Sequence, residues 1–317
     1  MPELPEVEGF RRRLEPVIVG RTITGLDVFD EKRWHPSEGL RGASVIGGEV
    51  KAVQRAGKML LFTMTNGLAL ALHLKIAGQL VLDLPSQARV VGGHPYPRPS
   101  MQFPESSTRF LITFDGDIRL WFNDQRRFGW LRLMPESEVD HFVSAQSYGP
   151  DPTANDFTAE VFGARLLARA GRPVKVALLD QTCVAGVGNI YADESLYRAR
   201  INPRRLAGSL SALEVQDLHR ELVNILAVAI PVGGALMRGN RKVPRDALVE
   251  STDMGRDFLE AHGCSGLPCP RCIARGDGDL NTAPLIVRTV VGGRGTYICP
   301  SCQPDPFEPV RGVDSLA

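Results

Sequence analysis

The sequence lacks a long hydrophobic run, and its amino terminus lacks the apolar centre of a secretory signal. No stretch of the 317 residues approaches the roughly 18 uninterrupted apolar residues that indicate a membrane-spanning helix. The first thirty residues instead contain prolines and several carboxylates. We therefore expect a soluble, intracellular protein with no membrane partner.

Net charge is also nearly absent, since the formal value is +1. So small a charge neither supports nor excludes a nucleic-acid partner, and only local clustering is informative. The segment from Leu196 to Lys242 contains eight lysines and arginines against three acidic residues. This cluster is consistent with a nucleic-acid surface, although a solvated helical face gives the same pattern.

Cysteine is scarce, and six cysteines in an intracellular chain do not indicate a disulfide framework. Four of them form two C-x-x-C pairs, Cys269 with Cys272 and Cys299 with Cys302. This spacing predicts one structural zinc ion held by four thiolates, with no open coordination position. Unpaired buried thiols or an iron–sulfur site are the alternatives. We expect no organic cofactor.

Between the two cysteine pairs, apolar residues alternate on both sides of Gly292-Gly293, which predicts a β-hairpin that returns the second pair to the first. Arg294 lies at the tip between glycines, where another backbone such as a phosphate chain could approach closely. An ordinary turn arginine is the alternative. Cys183 and Cys264 have no partner at metal-binding spacing, so we expect a buried small residue and a loop thiol.

Hydrophobic periodicity divides the chain into a strand-rich and a helix-rich part, without internal repeats. Helical spacing predicts an amphipathic helix from about Pro5. Short apolar runs between turn signals over residues 21–133 predict an antiparallel sandwich or barrel. Prolines and a glycine interrupt regular structure at 148–155, and helical patterns follow at 157–169, 174–180, 189–199 and 209–230. We predict an α+β multidomain fold with domains at 1–147, 156–250 and 262–306 and a linker at 148–155.

The amino terminus places a small residue, Pro2, directly after the initiator methionine and two carboxylates, Glu3 and Glu6, close behind it. Removal of Met1 would expose a secondary amine, and α-amino groups have a pKa of about 8, so part of it is unprotonated. Such an amine can attack a sugar C1′, expel a base and form an iminium ion that promotes phosphate elimination. Taken alone, however, a start rich in proline and glutamate more often indicates an irregular terminus.

Six segments together resemble the bacterial formamidopyrimidine-DNA glycosylase family, in the family's order and over nearly the whole chain. They are PELPEVE at 2–8, RAGKML at 55–60, HLKIAG at 73–78, DQRRFG at 124–129, LDQTCVAGVGNIYADE at 179–194 and GGRGT at 292–296. The resemblance implies an N-terminal β-sandwich with a helix, a helix-two-turns-helix domain and a zinc finger. It also implies a monomer that binds damaged double-stranded DNA in the bacterial cytoplasm, at the nucleoid.

The resemblance implies a catalytic role for five residues. Pro2 would be the Schiff-base nucleophile, Glu3 the proton donor that helps open the deoxyribose, and Glu6 the support of the amine. Lys58 would act beside the reacting sugar and its phosphate, which is chemically reasonable for a flipped nucleotide. Arg294 would grip phosphate for the second elimination.

DNA binding is implied for a further set of residues: His73, Ile76, Arg126, Arg127, Phe128 and Asn189. In the family, Arg126 corresponds to the reader of the orphaned base, Phe128 to an intercalating wedge and Arg127 to a phosphate ligand. Asn189 begins a predicted helix, whose free N–H groups and dipole favour a phosphate.

Several positions depart from the family pattern. The family usually has Gly, Met and Ser where Lys75, Ile76 and Ala77 stand, and Ile76 is a shorter, stiffer wedge than methionine. Ser107 occupies the place of a DNA-contacting histidine. The 235–244 loop lacks the usual threonines, and the spacer at 273–284 is longer than is typical.

The departures leave the substrate open among three hypotheses. The first is removal of oxidised purines (formamidopyrimidine and 8-oxoguanine), followed by β,δ-elimination. The second is removal of oxidised pyrimidines, as in the endonuclease VIII group, whose members usually begin Pro-Glu-Gly-Pro-Glu, so Leu4 favours the first. The third is a non-catalytic, zinc-dependent DNA-binding protein, which retention of Pro2, Glu3 and Lys58 disfavours. The preferred lesion, opposite base, rates and downstream repair partners are not encoded in a recognisable pattern.

Overall fold

The computed structural model describes residues 1–85, 89–94, 102–234 and 258–306. These residues form two compact units. The first unit contains residues 1–151 and 226–234, and the second contains residues 152–225 and 258–306. The part of the predicted helical domain at 235–250, including the 235–244 loop, lies outside the described residues.

The predicted N-terminal helix is present as α1, Leu4–Ile18. It begins with a proline in its first turn, where the missing N–H removes no helical hydrogen bond. Its apolar face is fully buried at Val7, Phe10 and Leu14. The helix packs on strands of the first unit. Gly9 lies so close to the backbone at residues 230 and 233 that a Cβ would come within 2.7 Å of it.

Two five-stranded sheets form most of the first unit. Their strands are β1 Ile23–Val28, β2 Trp34–Pro36, β3 Val50–Ala56, β4 Met59–Met64, β5 Leu68–His73, β6 Gln79–Asp83, β7 Arg89–Gly93, β8 Thr108–Phe114, β9 Ile118–Asn123 and β10 Trp130–Pro135. The sheet orders are β1-β8-β9-β6-β7 and β2-β10-β5-β4-β3. Phe110 and Phe122 from one sheet share a core with Phe62 and Leu70 from the other. This arrangement confirms the sandwich, and the short helix α2, Val139–Ala145, covers the outer face of the second sheet.

The second unit is helical, as predicted, with a terminal hairpin. Its elements are α3 Ala159–Leu167, α4 Val174–Leu179, α5 Asn189–Arg198, α6 Ala212–Ala229 (whose last turn belongs to the first unit), α7 Pro270–Arg275, β11 Val287–Val291 and β12 Arg294–Ile298. The predicted turn at Gly292-Gly293 joins β11 to β12, and both glycines have positive φ values of 57° and 75°. No helix within the described ranges has the length and hydropathy of a membrane span.

Candidate active site and nucleic-acid interface

The start of α1 holds its acidic residues in buried, fixed positions. Glu3 is 1% exposed and Glu6 is 6% exposed, and the Glu3 N–H donates a hydrogen bond of 2.8 Å to Glu6 Oε2. The Glu6 carboxyl lies against Gly234, where a Cβ would come within 2.0 Å of Glu6 Oε1. Pro2 is buried directly before this pair, whereas Met1 is 49% exposed. Loss of Met1 would therefore place a free amine beside an ordered carboxyl pair.

Lys58 lies in the tight turn between β3 and β4 and is 8% exposed. The turn is held by the Arg55 guanidinium, whose Nη1 donates to the Gly57 carbonyl at 3.0 Å. The same guanidinium pairs with Glu8 of α1 at 3.1 Å and with Asp151 at 2.7 Å. One buried arginine thus fixes the Lys58 turn to the helix that Pro2 and Glu3 directly precede.

Glu8 is the centre of this ion-pair cluster. Burial opposes its ionisation, but hydrogen bonds from Arg11 and Arg12, together with the charge of Arg55, outweigh burial and hold the pKa of the carboxyl at about 2. The Arg11 and Arg12 contacts are 2.9 Å and 2.8 Å long. Sequence reasoning assigned no role to Glu8 or Arg55, although both lie within the family-like segments.

His73 ends strand β5 and accepts a hydrogen bond of 2.9 Å at Nδ1 from the Lys75 backbone N–H. Burial, followed by the positive charges of Lys75 and Lys58, lowers the pKa of His73 to about 3. The imidazole is therefore neutral at physiological pH. Because Nδ1 is an acceptor, the proton is on Nε2, which is available as a donor. Ile76 follows in a half-buried position.

A loop after β9 presents Arg126, Arg127 and Phe128 to solvent. Its shape depends on Asp124, which is fully buried and accepts the backbone N–H groups of Arg126, Phe128 and Gly129 at 3.0, 2.8 and 2.7 Å. Phe128 is 42% exposed, and the Arg126 guanidinium lies 5.3 Å from its ring centre. The loop therefore presents two guanidinium groups and one aromatic ring to solvent in a conformation that Asp124 holds.

Asp124 shapes the loop, although sequence reasoning quoted it in a motif without assigning it a role. The available signal was an aspartate followed within five residues by a glycine. That pattern is typical of a loop organised by side-chain to backbone hydrogen bonds.

In the second unit, Asn189 begins α5 and lies beside the Arg294 hairpin. Asn189 Nδ2 donates to the Gly295 carbonyl at 2.9 Å, and Arg294 itself is exposed. This hydrogen bond uses one of the two protons on Asn189 Nδ2, and the other can be donated to another acceptor. The structure thus brings these two predicted phosphate ligands to neighbouring positions within one unit.

Lys175 forms hydrogen bonds with the same hairpin from the interior of the second unit. Its ammonium is fully buried and donates to Asp193 Oδ1 at 2.6 Å, Thr296 Oγ1 at 2.7 Å and the Gly295 carbonyl at 3.0 Å. Thr296 Oγ1 in turn donates to the Arg294 carbonyl at 2.9 Å. Sequence reasoning missed this network, and its only signal was a lysine at the start of an otherwise apolar helix.

Four buried sulfur atoms form the cluster that the C-x-x-C spacing predicts. The Sγ atoms of Cys269, Cys272, Cys299 and Cys302 all lie within 4.8 Å of one another, and three of the separations are 3.6, 3.7 and 3.8 Å. Tetrahedral zinc with sulfur at about 2.3 Å requires separations of about 3.8 Å. The donor set therefore fits a closed four-thiolate metal site. Tyr197 Oη lies 3.1 Å from Cys269 Sγ, and neither Cys183 nor Cys264 belongs to the cluster.

Known proteins match this chain along nearly its full length. The family model for the formamidopyrimidine-DNA glycosylase N-terminal domain matches residues 1–131, and the model for the H2TH domain of the same enzyme matches residues 148–240. A formamidopyrimidine-DNA glycosylase of Streptococcus mutans serotype c is 35% identical over 305 residues, covering 96% of this chain and 99% of the relative. This chain belongs to the formamidopyrimidine-DNA glycosylase family.

Solved structures of the family agree with the fold. A Lactococcus lactis Fpg variant bound to DNA containing Fapy-dG has a TM-score of 0.78 and 30% identity, covering 96% of this chain and all of the matched chain. The wild-type L. lactis enzyme bound to DNA containing an oxidised pyrimidine gives the same TM-score, identity and coverage.

Two of the departures from the family pattern have a structural description. Lys75 has a left-handed backbone with φ of 51°, a conformation that favours the glycine usual in the family at this position. Ser107 is only 6% exposed and donates to Glu105 Oε2 at 3.2 Å within its own turn. The side chain at the position where the resemblance predicts a DNA-contacting histidine therefore contacts its own turn.

Proposed function

We propose that this protein is a DNA glycosylase with lyase activity that removes oxidised purines, formamidopyrimidine and 8-oxoguanine, through a Pro2 Schiff base. The observation that carries the proposal is the buried Glu3–Glu6 pair directly after Pro2, in a chain that belongs to this family across both units. A nucleophilic amine with an adjacent proton donor is what glycosidic cleavage followed by elimination requires.

In the proposed reaction, the Pro2 nitrogen attacks C1′ of the damaged nucleotide while Glu3 donates a proton that opens the deoxyribose. The C1′–base bond breaks, and the base leaves with its electron pair and takes up the proton that the Pro2 amine loses, so an iminium ion forms between Pro2 and C1′. Loss of a C2′ proton then expels the 3′ phosphate, and a second elimination expels the 5′ phosphate. Water hydrolyses the remaining iminium and releases Pro2.

The other predicted residues have supporting roles in this proposal. Lys58 and neutral His73 would contact the backbone of the reacting nucleotide. Arg126 would read the orphaned base, and Phe128 would intercalate as a wedge. Ile76 would fill the adjacent gap. Arg127, Asn189 and Arg294 would bind phosphates, with Arg294 assisting the second elimination.

We propose zinc as the ion held by Cys269, Cys272, Cys299 and Cys302, because buried thiolates in tetrahedral proximity suit it. The ion would cross-link the hairpin base and supply no chemistry to the reaction. The protein would act as a monomer on chromosomal DNA, hence in the bacterial cytoplasm.

Borohydride trapping tests the nucleophile. The processed protein is incubated with a duplex that carries one 8-oxoguanine opposite cytosine, and the imine is reduced to a stable covalent complex. We expect a complex whose cross-linked peptide begins at Pro2. The Pro2→Gly variant, with Met1 removal verified by mass, should trap at least tenfold more slowly. Equal trapping by the variant, or a cross-link at another residue, would refute the assignment.

Oxidised pyrimidines are the second candidate substrate, because one matched family structure contains DNA with such a lesion. A parallel trapping series with an oxidised pyrimidine duplex ranks the two classes. The proposal predicts faster single-turnover cleavage of the purine lesion. The reverse order would move this protein to the second hypothesis without affecting the nucleophile.

A further inference from the structure

Lys75 follows strand β5 in a backbone conformation that lysine rarely adopts. Its φ of 51° lies in the left-handed region, where the Cβ of an L-residue crowds the neighbouring carbonyl. Such strain persists where the surrounding structure maintains it, and it is common at ligand-binding sites. Glycine adopts this conformation without steric cost, whereas lysine does not, so the presence of lysine here indicates a role for its side chain.

The backbone of Lys75 is held, whereas its charge is uncompensated. The N–H donates to His73 Nδ1 at 2.9 Å, which fixes the turn. The residue is half-buried, yet within the described ranges its ammonium forms no hydrogen bond or ion pair. A half-buried cation without a carboxylate partner is poorly stabilised by the protein alone.

A second cation lies close to the same imidazole. The charges of Lys75 and Lys58 both act on His73 in the direction that disfavours its protonation. Lys58 is itself nearly buried in the β3–β4 turn, and Met59, the next residue, pairs with His73 across the sheet. Two ammonium groups and a neutral imidazole with an Nε2–H donor thus share the end of β5.

We propose that Lys75 binds a phosphate of the damaged DNA strand, and that it forms with Lys58 a two-lysine anion site at the end of β5. The inference rests on the proposed function, since the ligand is a DNA phosphodiester. A phosphodiester has one delocalised negative charge and only acceptor oxygens, so it complements two ammonium groups and one N–H donor. Lysine binds a phosphate as a compact point charge, without the bidentate geometry of arginine.

Salt-dependent DNA binding tests the charge of Lys75. Affinity for a duplex that carries a non-cleavable tetrahydrofuran abasic analogue is measured by fluorescence anisotropy over a series of salt concentrations. Loss of one phosphate contact in Lys75→Gln should make the slope of log affinity against log salt shallower by about 0.9. The matched control Lys51→Gln, which removes an exposed lysine paired with Glu136 at 2.7 Å, should leave the slope unchanged.

The variant Lys75→Gly separates charge from backbone strain. Glycine accepts a positive φ, so this variant should unfold at a higher temperature than the wild type, while its salt slope falls as in Lys75→Gln. Lys75→Gln retains the strain and should show no such rise. Together these results would show a residue retained for binding at the expense of stability.

Two outcomes overturn the inference. Either an unchanged salt slope in Lys75→Gln, or a more stable Lys75→Gly with wild-type binding, would show that the lysine is only tolerated. Failure of the proposed function is distinguishable, because the wild type would then neither bind the abasic analogue in preference to undamaged duplex nor form a trapped complex.

Discussion

At the scale of single residues, the protein places ionised groups in buried positions and compensates most of them. Glu8 is the clearest case, since it contacts three arginines and has side-chain exposure of only 8%. A buried carboxylate in such a setting stabilises the fold only while it is ionised. Acid should therefore weaken the first unit through this residue.

The pH dependence has a definite sign. The pKa of Glu8 in the folded protein, about 2, lies below its ordinary value of 4.5. Its contribution to the free energy of unfolding is thus fully present above pH 4.5 and is lost as the pH falls through about 2. The shift corresponds to roughly 3 kcal/mol. In Glu8→Gln, unfolding in urea should cost less by about this amount at pH 7, and the difference from the wild type should shrink towards pH 2.

A neighbouring glutamate supplies the control for this prediction. Glu15 pairs with the same Arg11 at 2.8 Å but is 43% exposed, so Glu15→Gln should change the unfolding free energy by less than about 1 kcal/mol. If the Glu8→Gln and wild-type stability curves stay parallel between pH 7 and pH 2, the Glu8 cluster is not the source of the acid sensitivity.

At the scale of elements, short turns carry the candidate chemistry and buried polar side chains set their shape. Asp124 organises the loop that exposes Phe128, Arg55 fixes the turn of Lys58, and Lys175 supports the hairpin of Arg294. In each case the supporting residue lies on a helix or strand, or at a strand end. The residues that would contact DNA project from loops, and residues on the adjacent helices and strands hold those loops in place.

Lys175 offers a test at this scale. Lys175→Met removes the ammonium from the buried Asp193 carboxylate, which keeps only the contact to His262 Nδ1 at 2.7 Å, so the second unit should lose about 3 kcal/mol of stability in urea unfolding. The milder variant Thr296→Val removes the contacts to Lys175 and to the Arg294 carbonyl. This variant should fold, release the base at the wild-type rate and accumulate more β-elimination product relative to δ-elimination product. An unchanged product ratio would show that the hydrogen bonds of Thr296 do not position Arg294.

At the scale of the whole molecule, one part of the second unit depends on the predicted metal site. The first unit contains an extended apolar core between two sheets. In the second, the four cysteines are themselves part of a small core that includes Tyr197 and Ile286. Removal of the metal should therefore weaken this small core in particular, because so few buried residues hold poorly without their cross-link.

Cysteine substitution and hydrogen exchange measure this difference. Cys299→Ser should reduce bound zinc from one equivalent to a small fraction and should abolish amide protection in residues 285–303. Strands β4 and β5 should keep their protection. Cys264→Ser is the matched control, since Cys264 is buried in the same core but lies outside the four-sulfur cluster. Full zinc content in Cys299→Ser, or equal loss of protection in both units, would contradict the prediction.

The sequence by itself determined the features that depend on near neighbours. Helix α1 follows from the spacing of Val7, Phe10 and Leu14, and the terminal hairpin follows from alternation around Gly292-Gly293. The four-cysteine cluster follows from two C-x-x-C pairs. These patterns are legible because helical and strand periods and knuckle geometry involve residues only a few positions apart.

Only the tertiary structure decided which distant polar groups meet. Arg55 joins Glu8 and Asp151, and Lys175 meets Thr296, because packing brings together residues that lie far apart in the chain. Periodicity and motif spacing do not predict pairs of residues that lie far apart in the chain. A lysine in an apolar run therefore gives no indication of its partner. The left-handed backbone of Lys75 is likewise invisible in the sequence, because lysine does not favour it and the hydrogen bond to His73 exists only once β5 and its turn have formed.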